Sequence, residues 1–250
     1  MTICQRLCRA MRTRADRVTV DTLSIGLGYT ALSVSDGGLG LAYTAFDSKT
    51  HCTIISRGEE FEGRPASELL SLMTSEKPLY RSIGLALINA LNHRRAMTLP
   101  EDRHNDFLFD LLRIRDGSRV AMIGFFKPLA AKLNAIGADV SVVDLGRQMG
   151  DLDAFISRLK DWPDAVIMTS TSLLNDTADR LLAASNPAVP LAMVGPSTPL
   201  VAEVFHHTPV QVLAGTVPVK IEETFKAIRH GKGTPALQRF GRKAYVTVRS

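Results

Sequence analysis

An alternation of short apolar segments with helix-like segments runs through residues 119–229, and it limits the fold more than any other feature of the chain. The apolar segments are Arg119–Ile123, Val140–Val143, Ala165–Met168, Leu191–Val194 and Val210–Leu213. Continuous apolar strands that alternate with helices are typical of a parallel sheet covered by helices on both faces. The pattern therefore predicts a Rossmann-like parallel-sheet domain over residues 105–250 of this α/β chain.

The first part of the chain has a different pattern. Three short strand-like segments are separated by glycine-containing turns, which predicts an antiparallel meander. They are Arg17–Ile25, Tyr29–Val34 and Leu39–Phe46, and the predicted helices Arg64–Met73 and Pro78–Arg95 follow them. We therefore expect a small α+β domain over residues 1–97, a polar linker at Thr98–Arg103, and a separate hydrophobic core in each domain.

Composition and charge exclude several classes of protein. Hydrophobic residues make up 45% of the 250 residues, which is enough for a sizeable core, and no apolar run approaches the roughly 20 residues of a membrane helix. The net charge of +5 comes from the two ends: residues 1–17 hold five arginines, and residues 239–250 hold four basic residues that we expect to be solvated. The part between them is slightly acidic. We therefore expect neither a nucleic-acid nor a membrane partner, and we leave a homodimer open.

Cysteines and histidines give only weak indications of a metal site. The sparse, odd set of Cys4, Cys8 and Cys52 favours a reducing cytoplasm over a disulfide framework. Cys4 and Cys8 would share one face of a helix that begins near Ile3, but they have no second pair of ligands. His51–Cys52 and His206–His207 are the other candidates. We predict that metal is not held tightly by the cysteines.

The loops after the predicted strands are the expected ligand site, because parallel α/β sheets bind ligands beyond the carboxyl ends of their strands. These loops are Gly124–Pro128, Asp144–Arg147, Thr169–Asn175, Gly195–Pro199 and Gly215–Pro218. A helix over Thr177–Ala184 is expected to be capped by Asn175 or Asp176, and a helix led by Pro199 to be capped by Thr198, which would turn amide donors toward a ligand. The predicted ligand-binding residues are Phe125, Asp144, Thr171, Asn175, Ser197 and Thr198.

Two of these loops bear on the cofactor. Asp144 lies 20 positions after Gly124, the spacing at which a dinucleotide fold places its ribose-binding acid. Phe125 and Phe126, however, stand where small residues would let a pyrophosphate approach the backbone. We therefore expect no NAD or FAD, whereas a ribose-bearing ligand without that contact, such as S-adenosylmethionine, stays open. The alternative is that Asp144 only caps the turn that follows it.

Four motifs together resemble one protein family. They are the segments 26–31 (GLGYTA), 38–44 (GLGLAYT), 171–177 (TSLLNDT) and 195–200 (GPSTPL). The chain resembles the DUF364 family, whose members carry the description heavy-metal chelation, over nearly its whole length. The resemblance implies an enolase-N-terminal-like α+β domain followed by a Rossmann-like domain with methyltransferase-like features. It also implies a role in metal handling, through synthesis or modification of a chelating small molecule.

Two hypotheses for function follow. The first is a small-molecule-binding enzyme of metal-chelator or pterin-like metabolism, a transferase, lyase or hydrolase acting on a small polar metabolite. Its site would lie near the domain interface, with the strands around Gly28 and Gly38 as one wall. The second is a non-enzymatic protein of heavy-metal chelation or trafficking. A co-purified organic ligand would favour the first, and a bound transition metal without one would favour the second.

Overall fold

A computed structural model of the chain describes residues 1–46, 54–55 and 58–248. The first part contains a three-stranded antiparallel sheet in the order β1-β2-β3. Its strands are β1 (Val20–Ile25), β2 (Tyr29–Val34) and β3 (Leu39–Tyr43). The helices around it are α1 (Ile3–Ala15), α2 (Ala66–Leu69) and α3 (Pro78–Ala96), with a 3-10 turn at Leu70–Thr74 after α2. The single helix predicted over Arg64–Met73 is therefore two short ones.

The second part contains a six-stranded sheet in the order β5-β4-β6-β7-β8-β9, in which the first five strands are parallel and β9 is antiparallel to β8. The strands are β4 (Arg119–Ile123), β5 (Asp139–Val143), β6 (Ala165–Thr169), β7 (Leu191–Val194), β8 (Val210–Pro218) and β9 (Gly241–Thr247). The helices are α4 (Asp106–Leu111), α5 (Lys127–Ile136), α6 (Leu152–Arg158), α7 (Ala178–Ala184), α8 (Ile221–Arg229) and α9 (Thr234–Leu237). The predicted α/β fold is confirmed.

Gly241–Thr247 in the basic carboxyl-terminal segment form a strand, in which Arg242 and Lys243 are half-buried, so the expectation that they are solvated is wrong, whereas Arg239 is exposed as expected. β9 pairs with β8 from Val212 to Pro218. This pairing also makes Gly215–Pro218 part of β8, although the sequence predicted a loop there, because the backbone groups of these residues find partners in β9. The segment around Glu101 lies along the other edge of β9, where the amide of Tyr245 donates to the carbonyl of Pro100 (3.1 Å).

Two predicted helix caps are wrong. Helix α7 begins after Thr177, while the side chain of Asn175 accepts hydrogen bonds from Thr177 instead of capping the helix itself. Thr198 starts no helix, and the next helical turn is a 3-10 turn at Ala202–Phe205. The reason is tertiary: Asn92 in α3 donates to the carbonyl of Leu200 (2.9 Å) and holds this segment against α3.

The expectation of two separate hydrophobic cores is also wrong, although the two sheets are distinct. One cluster of buried side chains includes Leu32 and Leu91 from the first part and Met168 and Leu213 from the second. A second shared cluster packs α8 against the outer side of the first sheet, where a Cβ on Gly26 would stand 2.4 Å from the carbonyl oxygen of Ile228. The two parts therefore pack as one body around buried apolar contacts.

Candidate functional site

A cavity of about 1120 Å³ lies at the carboxyl ends of the parallel strands, between the two sheets. The loops after β4, β5, β6 and β7 form most of its wall, and Gly28, Tyr29 and Tyr43 close it from the first sheet. Gly28, one of the two glycines predicted to lie beside the ligand site, is thus in the wall of this cavity. Gly38 does not line the cavity, because it packs on α3, where a Cβ would stand 2.4 Å from the carbonyl oxygen of Ala90.

The strand order changes direction at β4, whose neighbours are β5 on one side and β6 on the other. At this point the loops that follow β4 and β6 come close together. Gly124 has φ +84°, and a Cβ on it would stand 2.7 Å from Cγ2 of Thr169. Glycine is therefore required for both its backbone conformation and its lack of a side chain. The resulting crevice is where doubly wound sheets hold ligands.

Asp144 connects the loops after β4 and β5. Its carboxylate accepts hydrogen bonds from the amide of Phe125 (2.8 Å), the amide of Arg147 (3.0 Å) and the guanidinium of Arg147 (2.8 Å). Burial raises the pKa of this carboxyl, but the two amides and the guanidinium outweigh it and lower the pKa below its usual range. The side chain caps the turn that follows it, as one of the two interpretations of Asp144 predicts.

Phe125, Thr171 and Asn175 also line the cavity. Phe125 is half-buried and carries the guanidinium of Arg147 over its ring, 5.9 Å from the ring centroid. The hydroxyl of Thr171 lies 3.0 Å from that of Thr169, and Asn175 is exposed at the rim. The fold thus brings these three residues and Asp144 to one cavity, with an apolar ring beside polar groups.

Ser197 and Thr198 differ from each other. Ser197 lines the cavity, but its hydroxyl accepts a hydrogen bond from the amide of Tyr43 (2.7 Å), and its carbonyl accepts one from Asn89 (3.0 Å). Thr198 does not line the cavity, and its buried hydroxyl has no partner among the described residues. Ser197 therefore joins the two sheets, and Thr198 lies behind the wall.

Ser170 lines the cavity but was not chosen from the sequence. It is 1% exposed, and its hydroxyl has no hydrogen-bond partner within the described part of the chain. Gly195 lies directly against this hydroxyl, since a Cβ there would stand 3.1 Å from Oγ. A buried hydroxyl without a partner costs free energy, so such a group calls for an explanation. The sequence feature that points to Ser170 as a site residue is its position immediately after β6.

Several polar residues from outside the predicted loops complete the wall. Tyr29 shares a hydrogen bond with Thr234 (2.6 Å), and burial raises the pKa of the Tyr29 phenol. Burial lowers the pKa of the Lys243 ammonium, which donates to the carbonyl of Arg103 (3.1 Å). Asp102 lies nearby in the linker. The alternating apolar pattern of residues 244–248 was the signal that Lys243 belongs to a strand.

The described residues contain no group of three or more His, Cys, Asp or Glu side chains placed to hold a metal ion. Burial raises the pKa of the Cys4 thiol to about 12 and that of the Cys8 thiol to about 11. Both thiols donate to carbonyl oxygens, Cys4 to Leu173 and Cys8 to Leu70. His51 and Cys52 lie outside the described residues. The two described cysteines are therefore protonated and hydrogen-bonded, which is unfavourable for metal binding.

Among the described residues, no helix combines the length and the apolar character that crossing a membrane requires.

The chain is similar in fold to two crystal structures of proteins with unknown function from the DUF364 family. The one from Pyrococcus horikoshii is 21% identical, with a TM-score of 0.83, and the match covers 99% of this chain and 100% of that one. The one from Desulfitobacterium hafniense DCB-2 is 22% identical, with a TM-score of 0.78 and coverage of 97% and 98%. These likenesses show that the two-sheet architecture is shared over the full length of all three chains.

Among curated proteins, the chain is 35% identical over 94 residues to the nitrogen fixation protein FixI of Rhizobium leguminosarum bv. viciae. That match covers 36% of this chain and 12% of FixI, so the chain spans a small part of the curated relative's length.

Two family models match the chain, and both carry the description "Putative heavy-metal chelation". The DUF4213 model matches residues 8–92, which hold the first sheet and α3. The DUF364 model matches residues 107–247, which hold the six-stranded sheet and most of the cavity wall. The second match covers more than half of the chain, and the fold agrees with the crystal structures from the same family. The chain therefore belongs to the DUF364 family.

Proposed function

We propose that this protein binds a small polar organic molecule in the cavity between its two sheets and acts on it as an enzyme. The observation that carries the proposal is the cavity itself, about 1120 Å³ at the change of strand order, with a buried hydroxyl of Ser170 that has no partner among the described residues. Pockets for small molecules are concave and largely apolar, with a few placed polar groups. Phe125, Thr171 and Asn175 supply this mixture.

The family description fits this proposal if the metal is carried by the organic ligand. Among the described residues that line the cavity, the carboxylates are Asp102 and Asp144, and no His, Cys or Glu is present. Both carboxylates already accept hydrogen bonds from backbone amides. A tight site for a transition metal needs about four free ligands. Direct chelation by this wall is therefore disfavoured, and metal-chelator or pterin-like chemistry is the class of metabolism that we propose.

Mass spectrometry of the purified protein under native and denaturing conditions, together with metal analysis, tests the proposal. We expect an organic molecule that stays bound under native conditions and is released on denaturation. A bound transition metal without an organic ligand would instead support chelation or trafficking without turnover. Incubating the recovered molecule with fresh protein, and following its conversion, then tests whether the protein is an enzyme.

A substitution that fills the cavity tests whether the organic molecule binds there. No heavy atom lies within 4 Å of the position of a Cβ on Gly28, which lines the cavity, so Gly28→Trp places an indole there without a clash at Cβ. Leu27→Trp is the matched control, because Leu27 is 83% exposed in the same turn and does not line the cavity. We expect Gly28→Trp to lose the molecule and Leu27→Trp to keep it. Retention in both variants would place the site elsewhere.

A further inference from the structure

The charged side chains of the cavity differ in how many of their hydrogen-bonding groups already have partners within the protein. Both carboxylates are bound: Asp102 accepts from the amides of Asp106 (2.9 Å) and Leu108 (3.0 Å), and Asp144 is held by Phe125 and Arg147. The cations Lys127, Arg147 and Lys243 keep donors free. Lys243 uses one of its three N–H groups, on Arg103. The unused charge of the described wall is therefore positive.

Lys127 is the least engaged of these cations. Its ammonium has no hydrogen-bond or ion-pair partner in the described part of the chain, and the residue is exposed at the cavity. It is also the first residue of α5, a helix of ten residues whose N-cap residue, Phe126, makes no side-chain capping bond. The amides of a helix amino terminus and the positive end of its dipole attract anions. Lysine charge and helix dipole therefore act at the same place.

The buried hydroxyl of Ser170 is a second and independent observation in the same wall. It is 1% exposed and without a partner among the described residues, and it follows β6, the neighbour of β4. The position of a Cβ on Gly195 would be 3.1 Å from this hydroxyl and 4.0 Å from the ring of Phe126, so Gly195 adjoins both residues. A ligand oxygen beside α5 would give the hydroxyl the acceptor that it lacks.

We propose that the cavity takes an anionic molecule whose phosphate or carboxylate group lies at the amino end of α5, between Lys127 and Ser170. This inference rests on the proposed function, since it names the class of ligand for the same cavity. Lys127 contributes charge, the amides of Lys127 and Leu129 contribute donors because Pro128 between them has none, and Ser170 contributes a directional hydrogen bond. The aromatic rings of Phe125 and Phe126 form the apolar surface beside this group.

Thermal unfolding of the full chain, in titrations with sodium phosphate and with sodium acetate at constant ionic strength, tests the inference. An anion that binds the folded state raises the unfolding temperature more than chloride does. The increase of that temperature with anion concentration gives the affinity. We expect Lys127→Gln to weaken this affinity about tenfold and Ser170→Ala about fivefold. Lys160→Gln is the control, because Lys160 is exposed and does not line the cavity. The two probes distinguish a phosphate from a carboxylate preference.

Two results would overturn the inference. One is the absence of any protection by either anion beyond that of chloride, and the other is an equal affinity in Lys127→Gln and Lys160→Gln. The failures of the two proposals are distinguishable. A co-purified molecule that is lost in Gly28→Trp but has no acidic group would leave the proposed function standing and remove the anionic class. The opposite result is anion binding that depends on Lys127 while the organic ligand persists in Gly28→Trp. This result would leave the anion site standing and remove the proposed location of the organic ligand.

Discussion

Two serines on neighbouring strand-end loops are equally buried but have different surroundings. Ser197, after β7, is 1% exposed and accepts a hydrogen bond from the amide of Tyr43, so it joins the two sheets. Ser170, after β6, is also 1% exposed but has no partner among the described residues. Burial alone therefore does not separate a structural hydroxyl from one that is available to a ligand. The hydrogen-bond partners make that distinction, and the following substitutions test it.

The largest effect on stability is expected for Asn89→Ala, at the contact between the sheets. The amide of Asn89 donates to the carbonyls of Leu41 (2.8 Å) and Ser197 (3.0 Å). Its loss leaves two carbonyl groups without this donor, so we expect the free energy of unfolding to fall by about 3 kcal/mol. Chemical denaturation measures this loss. A change below about 0.5 kcal/mol would show that the two sheets do not depend on this bridge.

Asp144→Asn is expected to cost about 2 kcal/mol, because a neutral amide replaces a carboxylate that accepts three hydrogen bonds. The parent should also lose stability in acid. The pKa of Asp144 is lower in the folded protein than its ordinary value of 3.8, so the unfolded chain binds the proton more readily. This contribution is complete above about pH 4 and is lost as the pH falls through the lower, folded pKa.

Unfolding titrations at several pH values would check the Asp144 prediction. The difference in stability between parent and variant should shrink as the pH falls below about 4. If this difference in stability stays constant with pH, the charge of Asp144 does not contribute to the stability of the folded protein.

Ser197→Ala is expected to cost about 1–2 kcal/mol, because the amide of Tyr43 loses its acceptor at the contact between the sheets. Hydrogen exchange at that amide should accelerate in the variant, while amides in the middle of β6 keep their protection. If the Tyr43 amide exchanged as in the parent, Ser197 would not hold the first sheet in the way that the 2.7 Å contact indicates.

The smallest change, and one of opposite sign, is expected for Ser170→Ala without ligand. Removing an unpaired buried hydroxyl should leave stability unchanged or raise it by up to about 1 kcal/mol. Thr198→Val is the matched control, because its hydroxyl is also buried and unpaired among the described residues but does not line the cavity. Only Ser170→Ala should weaken anion binding. A marked loss of stability in Ser170→Ala would show that the hydroxyl has a structural partner.

The local pattern was sufficient for most of the fold. Apolar segments of four or five residues set β4 and β7 at their predicted bounds, and Pro78 and Pro128 marked the starts of α3 and α5. Such signals are local, because they depend on the period of apolar residues and on the backbone preferences of proline and glycine. They also predicted that the loops after the parallel strands would meet, as they do around the cavity, since that rule follows from sheet topology alone.

Tertiary contacts decided the remainder. β9 forms because its backbone pairs with β8, and no helix forms after Thr198 because α3 binds the carbonyls of Ser197 and Leu200. The shared core arises because each sheet has an apolar face that the other part of the chain covers. The sequence determined which loops meet at the cavity. Only the packed structure decided that Ser197 joins the two sheets whereas Ser170 is left without a partner, because hydrogen-bond partners distant in sequence carry no local signal.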